Sequence, residues 1–122
     1  MNTVLIVCSW VGIALMFAIG FGGLLATTKM ADTQNIKVGG PLALGELRTA
    51  LGSNFLVLAS ALVWLRSAEL FLVVAALWTA ATLVKLVSLV LDRPALSQAL
   101  VGILFDAAMA LLMLAGYFLY RV

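Results

Sequence analysis

Residues 4–28 read VLIVCSWVGIALMFAIGFGGLLATT and contain no Asp, Glu, Lys or Arg. An α-helix rises about 1.5 Å per residue, so about 17 to 25 apolar residues cross the hydrocarbon core of a bilayer. The stretch is long enough to do so, and it predicts a transmembrane helix. The alternative is a signal peptide, which needs a basic segment in front of a short apolar core. Met1, Asn2 and Thr3 supply no such charge, so we expect this helix to remain in the membrane.

The remainder of the chain has the same apolar character. Hydrophobic residues make up 66% and charged residues 10% of the 122 residues, with a mean hydropathy of +1.25. Soluble domains carry about 45–50% apolar and about 25% charged residues, so this composition indicates an integral membrane protein. Three more apolar stretches follow, at residues 41–65, 70–91 and 95–119. We therefore predict an all-α fold, a transmembrane four-helix bundle that forms a single domain over residues 1–122.

Helix breakers and charged residues separate the four stretches. The longest connection is residues 29–40, which ends in Gly39 and Gly40, and Pro41 after it suits the first turn of the next helix. The sequence RSAE at 66–69 predicts a tight turn, and DRP at 92–94 predicts the end of one helix and the start of the next. These connections leave no room for a water-soluble catalytic domain.

The composition also excludes several classes of function. A net charge of +2 spread over loops makes no basic patch for nucleic acid, and the single Cys excludes a disulfide framework. The chain has no His, and it lacks a Cys pair, a phosphate-binding glycine loop and a Ser beside a base. We therefore expect no metal, no cofactor and no catalytic residue, and we favour a non-enzymatic role.

The distribution of Lys and Arg predicts the orientation in the membrane. Four spans place both termini on one side, opposite the 29–40 connection. The side of that connection carries more basic residues than the other, namely Lys29, Lys37, Arg48, Lys85 and Arg93 against Arg66 and Arg121. Because cytoplasmic loops carry an excess of Lys and Arg, the 29–40 connection is predicted to be cytoplasmic and both termini to be outside.

Four ionisable residues lie inside the predicted spans: Glu46, Arg48, Lys85 and Asp106. A charge at the centre of a membrane helix costs about 2.5 to 3.5 kcal/mol on insertion scales, so it normally has a partner or a function. The four charges sum to zero and all fall in the cytoplasmic half. Lys85 and Asp106 belong to antiparallel neighbours and differ in depth by about two helical turns, so we expect a water or a helix tilt between them. Asn54, near the middle of the membrane, is a fifth polar candidate.

Helical periodicity indicates how these residues face their neighbours. The positions three, four and seven residues from Asp106 hold Ala, Gly, Ile and Met, which let another helix approach closely. Glu46 and Arg48 are about 200° apart around their helix, so we expect one to face the bundle and the other to pack at its edge or snorkel to the cytoplasmic headgroups. Asn54 either forms an interhelical hydrogen bond or contacts a ligand. Two interpretations stay open for the four charged residues. They form ion pairs that only fix the helix register, or a cluster that binds a ligand or moves a proton.

The sequence LGELRTALG at residues 44–52 resembles the small bacterial four-span membrane family catalogued as domain of unknown function 4345. That family has Glu-Leu-Arg after an Asn or Gly at the start of its second helix, a basic residue late in the third and an acid in the fourth. Lys85 and Asp106 match these positions in kind, whereas Ser53 and Asn54 stand where the family often has small apolar residues. The resemblance covers nearly the whole chain and implies the bacterial inner membrane. A more distant similarity to the DoxX-like group also supplies no reaction.

We predict a small multi-pass membrane protein that acts as a structural or lipophilic-ligand-binding subunit. One alternative is a membrane-embedded enzyme or redox accessory that acts on a lipophilic substrate such as a quinone, and another is a minimal oligomeric transporter. A binder needs an apolar cavity that reaches Glu46 or Asp106, a transporter needs a polar path past Asn54, and a scaffold needs neither. The expected partners are membrane lipids, a lipophilic small molecule, and further copies or a larger membrane complex.

Overall fold

A computed structural model describes residues 2–121 of the protein. All regular secondary structure in these residues is helical. The helices are Thr3–Leu25, Thr27–Thr33, Pro41–Leu65, Ala68–Leu91 and Leu96–Tyr120. All except Thr27–Thr33 are long and apolar enough to cross a membrane, and we name these four the first, second, third and fourth span. The predicted all-α fold with four membrane-spanning helices is therefore confirmed, and the chain is a small multi-pass membrane protein.

The first span ends earlier than the hydropathy pattern predicts. Ala26 leaves the helical conformation, with φ of −130° and ψ of 46°, and the short helix Thr27–Thr33 follows it. The Thr27 hydroxyl donates a hydrogen bond to the carbonyl oxygen of Gly23, a local bond of the kind that competes with continued helix geometry. Residues 26–28 are Ala, Thr and Thr, which carry no charge and contain neither Gly nor Pro, so the composition does not indicate this break. The connection that was predicted as a loop from residue 29 thus begins with a helix.

The other helix ends follow the predicted punctuation. Gly40 has a φ of 148°, a conformation that favours glycine, and Pro41 stands in the first turn of the second span. Ser67 caps the third span by accepting a hydrogen bond from the backbone N–H of Leu70 at 3.3 Å, so this span begins at Ala68 and not at residue 70. The fourth span begins at Leu96, just after Pro94.

The chain divides into two compact units. One contains the first span as far as Gly12 together with the chain from Arg66 onward, and we call it the third–fourth unit. The other, Ile13–Leu65, contains the rest of the first span and the whole second span, and we call it the first–second unit. The polar residues predicted to matter are therefore distributed between two units.

In the third–fourth unit, the third and fourth spans pack against each other as antiparallel neighbours. Phe71 and Trp78 of the third span are buried, as are Met109 and Met113 of the fourth. Gly116 faces Phe71, and a Cβ at this glycine would overlap the ring. Met109 and Met113 lie on the same face of the fourth span as Asp106. The sequence spacing predicted that another helix approaches this face closely, and the structure confirms that both Met side chains are buried there.

In the first–second unit, the first and second spans approach closely at glycines. A Cβ on Gly52 would lie 3.0 Å from the backbone nitrogen of Leu24, and one on Gly23 would overlap the backbone of Leu51. At this crossing the second span contains a π-helical turn, Thr49–Ser53, between α-helical segments. Such turns widen a helix locally and are frequent at functional sites. This contact between spans depends on the absence of side chains at the two glycines.

Candidate functional site

Lys85 of the third span and Asp106 of the fourth span form an ion pair. The Lys85 Nζ atom lies 2.7 Å from Oδ2 of Asp106. Counted from Leu91 and Leu96 at about 1.5 Å per residue, Lys85 lies about 9 Å and Asp106 about 15 Å from the nearer helix end. The sequence offset predicted a water or a tilt between the two groups, whereas the structure brings them into direct contact.

Gly102 gives the Lys85 ammonium room beside the fourth span. It lies one turn before Asp106 on the fourth span, and a Cβ at this position would be only 3.3 Å from the Lys85 Nζ atom. The ammonium group therefore lies close against the backbone of the fourth span. Because no side chain intervenes, the Lys85 stem closes the difference in depth without a bridging water.

The two members of the pair differ in accessibility. The Asp106 side chain is 5% exposed, whereas that of Lys85 is 48% exposed. The ammonium lies at the distance of a charge-assisted hydrogen bond from Oδ2, and no other group within residues 2–121 donates a hydrogen bond to this oxygen. The carboxylate thus retains the capacity to accept a further hydrogen bond.

An open apolar groove of about 230 Å³ lies next to the pair on the surface between the third and fourth spans. It is lined by Thr79, Thr82, Leu83, Ala107, Ala110 and Leu111. The Thr79 and Thr82 hydroxyls donate to carbonyl oxygens of their own helix, at 2.8 and 2.9 Å, so they offer no free hydroxyl proton to the groove. Thr82 lies one turn from Lys85 and Ala107 follows Asp106 in sequence, and neither charged residue itself lines the groove.

Arg48 has a partner that the sequence did not predict. Its Nη1 donates a hydrogen bond of 2.7 Å to the carbonyl oxygen of Leu24, in the last turn of the first span. Carbonyl groups in the last turn of a helix lack an intrahelical partner, and a positive charge there is favourable for the helix dipole. Arg48 therefore caps the first span, and which of Glu46 and Arg48 faces the bundle stays a prediction.

Glu46 and Asn54 are both exposed on the second span. Neither side chain has a hydrogen-bond or ion-pair partner within the described part of the chain. Of the five predicted polar residues, the structure thus joins Lys85 to Asp106 and gives Arg48 a backbone partner. A single cluster of all five residues stays a prediction.

The groove and the role of Gly102 were missed from the sequence. The available signal was a row of small side chains, because Ala107 and Ala110 are spaced three residues apart, as are Thr79 and Thr82 on the neighbouring span. Small residues at this spacing predict close packing as readily as they predict a groove. Only the relative position of the two helices distinguishes these outcomes.

No three His, Cys, Asp or Glu residues among those described lie together in a way that could hold a metal ion. Comparison with known proteins finds no matching family model, no similar curated protein and no similar solved structure. The resemblance to the 4345 family stays a prediction. The function is therefore argued from the geometry of the third–fourth unit.

Proposed function

We propose that this membrane protein is a binding subunit for a neutral, chain-like lipophile on the surface where the third and fourth spans meet. The observation that carries the proposal is the Lys85–Asp106 pair itself. Its carboxylate is buried and paired with the ammonium, and the ammonium is half-exposed on one of the two spans that form the apolar groove. A polar group beside an apolar surface is the usual composition of a site for a lipophilic ligand.

The pair indicates the polar end of the ligand. A ligand reaches Lys85 before Asp106, because the lysine is half-exposed and the aspartate is buried. An ammonium group only donates hydrogen bonds, so the ligand must offer an acceptor oxygen. The pair is already neutral in sum, and an anionic headgroup would add an uncompensated charge at membrane depth. A carbonyl or ester oxygen meets both conditions.

The groove indicates the apolar end of the ligand. Its volume of about 230 Å³ is below the roughly 300 to 1,000 Å³ of sites for compact small molecules. Leu83 and Leu111 on its walls are exposed, at 58% and 67%, so the groove is open along its length. These dimensions suit part of an acyl chain better than a ring system. They favour a lipid ester over the quinone of the enzyme alternative.

Two other functions make different demands. A scaffold would use the Lys85–Asp106 contact only to fix the register of the third and fourth spans, and the direct contact supports that role as a second candidate. A transporter needs a polar path, and the apolar groove with its internally bonded Thr hydroxyls does not favour one. The location in a bacterial inner membrane rests on the pattern at residues 44–52 alone and is proposed on that basis.

Photolabelling tests the proposal directly. The protein in phosphatidylcholine vesicles is exposed to the methyl ester of a diazirine-bearing fatty acid, and the labelled peptides are identified by mass spectrometry. We expect the label on the segments that line the groove. Ala107→Leu narrows the groove and should reduce labelling there. Excluding even one methylene of the ligand from the groove costs about 0.8 kcal/mol, which weakens binding about fourfold.

Ala108→Leu is the matched control, because Ala108 is exposed on the same helix but does not line the groove. It should be labelled like the wild-type protein. Equal labelling of the Ala107→Leu and Ala108→Leu variants would refute the groove as the binding site. Stronger labelling by the free fatty acid than by its methyl ester would contradict the preference for a neutral ligand.

A further inference from the structure

The second span carries an exposed face that the proposed lipophile site does not use. Exposed residues recur along it about once in every helical turn, namely Ala50, the adjacent Ser53 and Asn54, Val57, Ser60 and Trp64. This spacing places them on one side of a helix. The face combines small and polar side chains near the centre of a membrane-spanning helix.

Asn54 differs from the polar residues that come just before it on the second span. The hydroxyls of Thr49 and Ser53 donate to carbonyl oxygens of their own helix at 3.0 and 3.1 Å. The Asn54 side-chain amide has no hydrogen-bond partner within residues 2–121. It lies close to the middle of Pro41–Leu65, where the hydrocarbon offers neither donor nor acceptor. Satisfying this amide requires a polar group from outside the described chain.

We infer that the second spans of two copies pair around a two-fold axis, with the two Asn54 amides hydrogen-bonded to each other. An amide side chain carries both donors and an acceptor, so two identical ones are complementary. A second copy in the same orientation presents its Asn54 at the same depth, which gives the self-complementary contact of an isologous dimer. Ala50 and Ser53, one turn away, are small enough to let the helices approach.

The first test measures proximity. In a Cys8→Ser background, Val57→Cys places a thiol on the proposed interface and leaves Asn54 intact. Val101→Cys on the fourth span is the matched control, because the two valines are exposed to similar extents, 67% and 71%. We expect oxidation in membranes to give a disulfide-linked dimer for Val57→Cys and a monomer for Val101→Cys.

The second test measures affinity by energy transfer between labelled copies in vesicles. Hydrogen bonds between membrane helices contribute about 0.6 to 1.7 kcal/mol, so Asn54→Leu should weaken dimerisation about 3- to 20-fold. Asn54→Gln keeps the amide and should retain most of the affinity. The photolabelling of the groove should not change in either variant, since the two sites use different spans.

Three results would overturn the inference. These are equal cross-linking of Val57→Cys and Val101→Cys, a dimer of wild-type strength in Asn54→Leu, and cross-linking of Val57→Cys to another protein instead of a second copy.

Discussion

Asp106 is almost completely buried and forms an ion pair with Lys85, whose side chain is half-exposed. An ion pair of this kind is costly to form because both charges lose hydration, and it is more costly still to break. Removal of one partner leaves the other charge at membrane depth without compensation. The energetic consequence of a substitution here depends on whether the second residue is changed as well.

A double-mutant cycle tests this coupling. Lys85→Met should lower the free energy of unfolding by about 1 to 3 kcal/mol, because it leaves a buried carboxylate unpaired. The double variant Lys85→Met/Asp106→Asn should lose less than the sum of the two single variants. Unfolding by SDS in mixed micelles measures all four proteins. Additivity within about 0.5 kcal/mol would show that the two side chains are not coupled.

At the scale of the helices, contacts between spans depend on glycines that face a neighbour. Gly52 and Gly23 allow the first and second spans to approach, and Gly116 admits the ring of Phe71 between the third and fourth. Arg48 adds a charged hydrogen bond at the end of the first span. Apolar side chains alone drive little association in lipid, so close backbone packing determines which helix faces meet.

Two Gly→Ala substitutions should therefore have opposite effects on stability. Gly116→Ala should lower the free energy of unfolding by about 1 to 3 kcal/mol, because the methyl group overlaps the Phe71 ring in a packed core. Gly45→Ala meets no atom within 4 Å and should raise it by about 0.5 to 1 kcal/mol, because Ala is the better helix former. Unfolding in micelles compares them. If both variants gained stability, the contact at Gly116 would not limit helix approach.

At the scale of the whole molecule, the orientation in the membrane is a prediction from basic residues. A single-Cys labelling experiment tests it in cells. In the Cys8→Ser background, Gly39→Cys introduces an exposed thiol with no atom within 4 Å of its Cβ. An impermeant maleimide should label it only after the cells are opened, because the connection is predicted to be cytoplasmic.

Asn2→Cys is the control for the opposite side, and it should be labelled in intact cells. The reverse pattern, with Gly39→Cys labelled from outside, would show that the orientation is inverted. The two sides of the membrane differ by only a few basic residues, so this experiment decides the orientation. The orientation in turn determines whether Lys85 and Asp106 lie nearer the cytoplasm or the outside.

Much of the fold follows from local sequence. The four apolar stretches predicted four spans because backbone groups in lipid must be satisfied within each helix. The Gly-Gly-Pro at 39–41 predicted the start of the second span, and Pro94 predicted the approximate start of the fourth. The break at Ala26 was not predicted, since it changes the backbone conformation without changing hydropathy. The candidate site was predicted only in part, as the residues Lys85 and Asp106 without their geometry.

The sequence by itself determined the class of the protein, its four spans and the few charged residues that needed a partner, because length, hydropathy and burial cost are local properties. The tertiary structure alone decided that Lys85 touches Asp106, that Arg48 caps the first span and that a groove opens beside the pair. All three outcomes depend on the distance between helices, and the lack of a side chain at Gly102 gives the Lys85 ammonium its room. A hydropathy pattern contains no information about which face of one helix meets which face of another, so packing decides it.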